Sequence, residues 1–278
     1  MYTFTNKNLI FLKLQVLLHN IVFPEGPAFD HKGRIWLVEK EAGNLIVMDN
    51  NIATRIHTGG HPNGIAIDKN NVVWFCDSLQ NSIRTYNPST QQCQTIIASI
   101  AGEKLKMPND LAFDHTGNLL FTCPGDTLED GSGYICCLTP HQKLSIIYTD
   151  MFYPNGLAFS KDYKTLYVAE TGTHFIWKFD WNPASNLLSN AKKWVYAGGP
   201  IGPDGIALDE EENLYIAVFG SGYVKKANAQ GVLVEQIELI GKNPTNCAID
   251  PMGKMGILVT EAETGSLIQI PSKAKGIL

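Results

Sequence analysis

The stretch "YPNGLAFS", residues 153–160, joins turn chemistry to a strand: Asn-Gly follows a proline, and Leu-Ala-Phe then alternates like a half-buried strand. Five close relatives lie elsewhere in the chain: "PEGPAFD" (24–30), "PNGIAID" (62–68), "PNDLAFD" (108–114), "PDGIALD" (203–209) and "PTNCAID" (244–250). Their prolines, Pro24, Pro62, Pro108, Pro154, Pro203 and Pro244, are 38, 46, 46, 49 and 41 residues apart, the period of propeller blades.

Each unit repeats one order. A second apolar strand follows the motif ("RIWLVE", "VVWFCD", "NLLFTC", "TLYVAE", "NLYIAV", "GILVTE"), and then a third ("NLIVMD", "SIRTYN", "YICCLT", "FIWKFD", "YVKKAN", "SLIQI"). A fourth closes the first five units, and Gly, Asn, Asp and Pro punctuate the gaps as hairpin turns require. The sixth unit runs out of chain after its third strand. The N-terminal stretch around "LQVLL", residues 12–18, supplies the missing piece and closes the ring without an open edge. The chain therefore reads as an all-β, six-bladed β-propeller forming one domain over 1–278, with blades starting near 24, 62, 108, 154, 203 and 244.

Composition bounds the function. Apolar residues make up 44% and charged residues 18%, as in globular domains. A net charge of −5 gives no basic patch for nucleic acid or an anionic membrane. No run of 18 apolar residues offers a membrane span, and "NLIFLKLQVLLHN" is a poor secretory signal, since Lys13 and Gln15 interrupt it and no small-residue cleavage site follows. None of the six cysteines forms a Cys-x-x-Cys pair; they read as small buried hydrophobes of a reduced, cytoplasmic protein. Cys136 and Cys137, adjacent in a strand, should face opposite sides of a sheet.

In a propeller the first strand of each blade lines the central channel. The residue after each proline then lies on a ring at one mouth: Glu25, Asn63, Asn109, Asn155, Asp204 and Thr245. All six carry oxygen. Two carboxylates with amide oxygens suit a hard divalent cation such as Ca²⁺ or Mg²⁺, whereas the same carboxylates unpaired would repel one another and resist desolvation. Asn63 and Asn155 also suit a tight turn, but Glu25 is no turn former. The ends of the second strands add Glu39, Asp77, Glu170 and Glu261, which read as exposed turn carboxylates. His61 reads as a loop histidine, and the acidic, glycine-rich excursion "CPGDTLEDGSG" (123–133) as a solvated loop over the mouth.

"FPEGPAFD", "MPNDLAFD", "YPNGLAFS" and "GPDGIALD", with "VAETGTHFIWKFD" (168–180), resemble the SMP-30/gluconolactonase family of calcium-dependent lactonases, with diisopropylfluorophosphatase as a distant relative. The resemblance covers nearly the whole chain. It implies a divalent metal, usually Ca²⁺ with Mg²⁺, Mn²⁺ or Zn²⁺ as other occupants, held by Glu25, Asn155 and Asp204, with Asn109 as a further ligand or substrate contact. Asp204 matches the carboxylate serving as general base or nucleophile, and Asn63 could add a substrate contact. Two substrate-site positions depart from the pattern: Met107 stands where mammalian-type members carry an arginine, and Cys123 where many bacterial members carry an aspartate. The implied activity is hydrolysis of a sugar lactone or related lactone ester by a monomer or homodimer. An organophosphate hydrolase using the same site and a non-catalytic ligand-binding propeller are the alternatives.

Overall fold

The computed structural model describes residues 13–277, and no helix occurs among them. Six four-stranded antiparallel sheets account for almost all of the structure. Their inner strands are Pro24–Phe29, Pro62–Ile67, Leu111–Phe113, Pro154–Phe159, Gly202–Leu208 and Pro244–Ile249. These are the expected copies of the motif, and each sheet is a blade of a six-bladed β-propeller. Among the described residues no helix is long and apolar enough to cross a membrane.

The sixth blade is completed by the other end of the chain. Gln15–Leu18 pairs antiparallel with Ser266–Ile270, placing Gln15 opposite Gln269 and Val16 opposite Ile268. The closing strand is shorter than the expected 12–18: Lys13 and Leu14 precede it, and Leu12 lies outside the described residues. With both ends of the chain in one sheet, opening the ring requires breaking a ladder as well as a packed interface.

The core is a ring of six interfaces between neighbouring blades. Trp36, Val38 and Leu45 of blade 1 pack on Ile65, Val73 and Phe75 of blade 2, and Leu120, Ile135 and Cys137 of blade 3 pack on Leu157, Val168 and Phe179 of blade 4. Cys136 instead joins the interface between blades 2 and 3, so the two adjacent cysteines do face opposite sides of their sheet. All six cysteines are free thiols; Cys93 is exposed and the other five are buried.

Blade 3 departs from the pattern. Its inner strand starts at Leu111 rather than near 108, because the ladder is interrupted where Thr122 Oγ1 accepts from Asp110 N at 3.2 Å and donates to Asn155 O at 2.8 Å. The same hydroxyl therefore ties blade 3 to blade 4. Equivalent threads run from Thr171 Oγ1 to Pro203 O and from Thr245 Oγ1 to Pro24 O, each 2.7 Å, fixing the motif loops against one another around the mouth.

Candidate functional site

Regular strands alternate their side chains, so two consecutive motif residues should not share one face. Here they do, because inner strands carry a register shift at the motif: between Glu25 and Ala28, Pro62 and Ile65, Pro154 and Leu157, Pro203 and Ile206, and Pro244 and Asn246. Such bulges re-aim side chains and are common beside active sites. The first residue after each proline forms an upper ring, and the second faces the axis below it.

Glu25, Asn63, Asn109, Asn155 and Asp204 are all buried, between 1% and 8% exposed. Glu25 accepts from Gly26 N at 3.1 Å, and Asn155 Nδ2 donates to Thr171 Oγ1 at 3.2 Å, which turns Asn155 Oδ1 to the other side of its amide. Burial raises the Glu25 pKa above its ordinary value, with the Lys40 charge opposing. Burial, and then the neighbouring Glu25 charge, push Asp204 well above the ordinary carboxylate range, and Lys40 and a hydrogen bond from Asn155 only partly offset this. Lys40 forms no ion pair with either among the described residues; its ammonium lies 4.8 Å over the Phe23 ring.

Two buried oxygens on this ring, Asp204 Oδ1 and Asn63 Oδ1, have no hydrogen-bond partner. A buried acceptor without a donor costs about 1–3 kcal/mol, more when charged, and both oxygens belong to hard-cation ligand types. The donor set fits a divalent cation: two buried carboxylates and unsatisfied oxygens on Asp204 and Asn63. Among the described residues no cluster of three His, Cys, Asp or Glu side chains forms a metal-binding group, so any such site depends on the asparagines as well as the two acids.

Not every expected residue joins this set. Thr245 is fully buried and its hydroxyl is committed to Pro24 O, with Thr260 Oγ1 also at 2.7 Å, so it braces the ring. Met107 is partly buried beside the mouth, its backbone N bound to Asn81 Oδ1 at 2.9 Å. Cys123 is fully buried in the interface of blades 2 and 3 with Cys76, Cys136 and Tyr134.

The second-strand carboxylates correct the sequence reading. Glu39, Asp77, Glu170 and Glu261 are not exposed turn residues but are 0–4% exposed. Each clamps the loop entering its blade: Glu39 accepts from Val22 N, Asp77 from His61 N, Glu170 from Phe152 N and Glu261 from Asn243 N, at 2.8–3.1 Å. They hold in place the backbone that carries the ring. The excursion after Cys123 is tied down as well, by Lys106 Nζ to Asp126 at 2.6 Å and Asp126 N to Ser132 Oγ at 2.9 Å.

Sequence reasoning missed Asp110 and Asn246. They occupy the second motif position, where the other four blades have Gly26, Gly64, Gly156 and Gly205. Blades 3 and 6 stand opposite each other, and Asn246 Nδ2 reaches Asp110 Oδ2 across the axis at 3.4 Å. The glycines make this possible: a Cβ on Gly64 would sit 2.1 Å from Asp110 Oδ1, and one on Gly205 2.0 Å from Asn246 Cγ. Burial raises Asp110 to about 7, with the Glu25 charge adding to it and the Leu111 backbone N–H opposing. The available signal was the pair of non-glycine residues at a glycine position.

A family model described as "SMP-30/Gluconolactonase/LRE-like region" matches residues 23–262. The chain is 25% identical to a gluconolactonase of Zymomonas mobilis, over 95% of this chain and 82% of that protein. It is 26% identical to the diisopropyl-fluorophosphatase of Loligo vulgaris, over 87% of each. Among solved structures, a gluconolactonase from Xanthomonas campestris superposes with a TM-score of 0.84 at 23% identity, covering 95% of this chain and 90% of that one. With its motif-bearing inner strands, strand-exchanged sixth blade and acid-amide ring, this chain belongs to the SMP-30/gluconolactonase/LRE-like family.

Proposed function

We propose that the protein is a divalent-cation-dependent hydrolase of lactones, with Ca²⁺ as the resident ion and Glu25, Asn109, Asn155 and Asp204 as its holders. The observation that carries this reading is the pairing of buried Glu25 and Asp204 with no cationic partner, next to the unsatisfied Asp204 Oδ1 and Asn63 Oδ1. The relatives named gluconolactonase and lactonase support the same reaction class.

When bound, the cation supplies positive charge against the negative charge that develops on the lactone carbonyl oxygen. Asp204 accepts a proton from the attacking water as the water oxygen bonds to the carbonyl carbon. The ring C–O bond then breaks, and the proton passes to the departing alkoxide, leaving a hydroxy acid. Asn155 holds Asp204 through its hydrogen bond, which fixes the base in one orientation. Asn63 and Asn109 orient the substrate, and the Asp110–Asn246 contact spans the channel beneath them.

The test is a lactone panel run with metal-stripped protein and single added cations. Restoration of turnover by Ca²⁺ and its loss in Asp204→Asn with the fold retained support the reading. Hydrolysis unchanged by both treatments would sink it. The squid relative gives a second arm its motive: a phosphotriester in the same assay separates lactone from phosphoester specificity.

A further inference from the structure

The residue before each motif proline stands directly above the acid-amide ring, and in three blades it is large and held in an unfavourable backbone. Phe23, Met107 and Tyr153 have φ of +56°, +49° and +60°. A bulky residue in the left-handed region costs of order 1–3 kcal/mol, and a following proline disfavours helical backbone further. Such strain persists where the surroundings impose it, and it clusters at ligand clamps.

What the strain achieves is visible in the contacts. Phe23 stacks on Phe219 with ring centroids 6.4 Å apart. These rings belong to blades 1 and 5, which blade 6 separates, so the pair bridges over the inner end of blade 6 and roofs part of the mouth. The rim continues apolar outward: Val22 and Ile201 are 50% and 41% exposed. The polar side chains there are Lys40, whose ammonium is spent on the Phe23 ring, His61 and Tyr153.

A polyhydroxylated ring needs several hydrogen-bond partners at its edge, and Phe23, Met107 and Phe219 offer none, while buried hydroxyls without partners are costly. We propose that the substrate is a lactone bearing an apolar alkyl or aryl substituent, with its ring at the acid-amide ring and its substituent against Phe23 and Phe219. This rests on the lactonase reading and narrows it away from sugar lactones.

The experiment compares kcat/KM for δ-valerolactone, δ-decalactone and D-glucono-δ-lactone in the calcium-loaded protein. It is paired with calorimetric binding of the δ-lactam that carries the same pentyl chain. Each buried methylene is worth about 0.8 kcal/mol, or roughly fourfold, so partial burial of the pentyl chain predicts at least a tenfold preference for δ-decalactone over δ-valerolactone, with D-glucono-δ-lactone slowest. Phe219→Ala and Phe23→Ala should each reduce that preference at least threefold. Equal or better turnover of D-glucono-δ-lactone, or a preference untouched by both variants, overturns the proposal while leaving the lactonase reading standing. If no lactone is hydrolysed the lactonase reading fails, and lactam binding still decides the collar: binding weakened by Phe219→Ala supports it, and absence of binding rejects it.

Discussion

The two ends of the central channel carry buried carboxylates on the same inner strands, and they solve the burial problem in opposite ways. At the lower end the motif closes with Asp30, Asp68, Asp114, Ser160, Asp209 and Asp250. These side chains receive donors from their own turns and from tryptophans: Asp30 accepts from Lys32 N, Arg34 N and Trp36 Nε1 at 2.9–3.0 Å, and Asp114 from Thr116 N, Asn118 N and, in the next blade, Trp181 Nε1 at 2.8–3.0 Å. Burial pushes both acids up, but the hydrogen bonds outweigh it and leave them below their ordinary value. Between these turns, a ring of six alanines borders a cavity of ≈ 300 Å³ that Gly276 and Ile277 also line. At the upper end Glu25 and Asp204 are also buried, but their fewer donors, Gly26 N for Glu25 and Asn155 for Asp204, do not outweigh burial, and both are raised. The lower acids are satisfied by protein donors, whereas the upper pair leaves Asp204 Oδ1 without one.

Exchanging charge for amide should break the symmetry between the two ends. The largest effect is expected for Asp204→Asn, which should cut turnover by about 10²–10⁴, the usual share of a general base. It should leave the thermal midpoint of the metal-free protein at pH 8 unchanged or higher, since a buried charge is removed. Asp114→Asn should do the reverse. It loses charge-assisted hydrogen bonds worth about 1.5–3 kcal/mol each, so urea unfolding should show a clearly lower midpoint while activity per folded molecule is retained.

Asp110 sharpens the comparison through pH. Its folded pKa is raised to about 7 from 3.8, so the folded state holds its proton more tightly than the unfolded chain. That favours folding below about pH 4 relative to higher pH, and the advantage is lost as pH rises to about 7, where Asp110 ionises in the folded state. Metal-free protein should therefore lose stability between pH 4 and 7, and Asp110→Asn should flatten that part of the curve by about 4 kcal/mol at most. A thermal-midpoint profile with the same slope in both proteins would remove Asp110 from the explanation. The smallest effect belongs to Thr245→Val. Losing the bond to Pro24 O should cost about 1 kcal/mol of stability and leave the response to calcium intact, because Thr245 braces the ring without facing the ion.

Much of this arrangement was legible in the sequence because a propeller writes its topology six times. The prolines marked the inner strands, and the missing fourth strand of the last unit pointed to its N-terminal substitute. The ring of Glu25, Asn109, Asn155 and Asp204 followed from their shared place in the repeat. What stayed hidden depends on relations that a linear repeat does not express. That Asp110 and Asn246 touch requires blades 3 and 6 to be opposite and four glycines to clear the axis. The burial of Glu39, Asp77, Glu170 and Glu261 follows from the loop amides folded over them. The lower acids stood in every quoted copy except the fourth, where Ser160 replaces Asp, yet their role lies in turns beyond the motif.

The central claim is that Glu25 and Asp204 are buried together because a divalent cation binds between them. Thermal midpoints of the metal-stripped protein, measured with increasing Ca²⁺ at pH 8 and pH 5, test it most directly. Binding to the folded state alone should raise the midpoint with calcium, by an amount equivalent to about 2.7 kcal/mol at a hundredfold excess over Kd. The rise should shrink as the pH falls, because burial raises both acids and protons then compete with the ion for them, and it should vanish in Glu25→Ala. A midpoint indifferent to calcium at pH 8, or an equal rise in Glu25→Ala, would contradict the account.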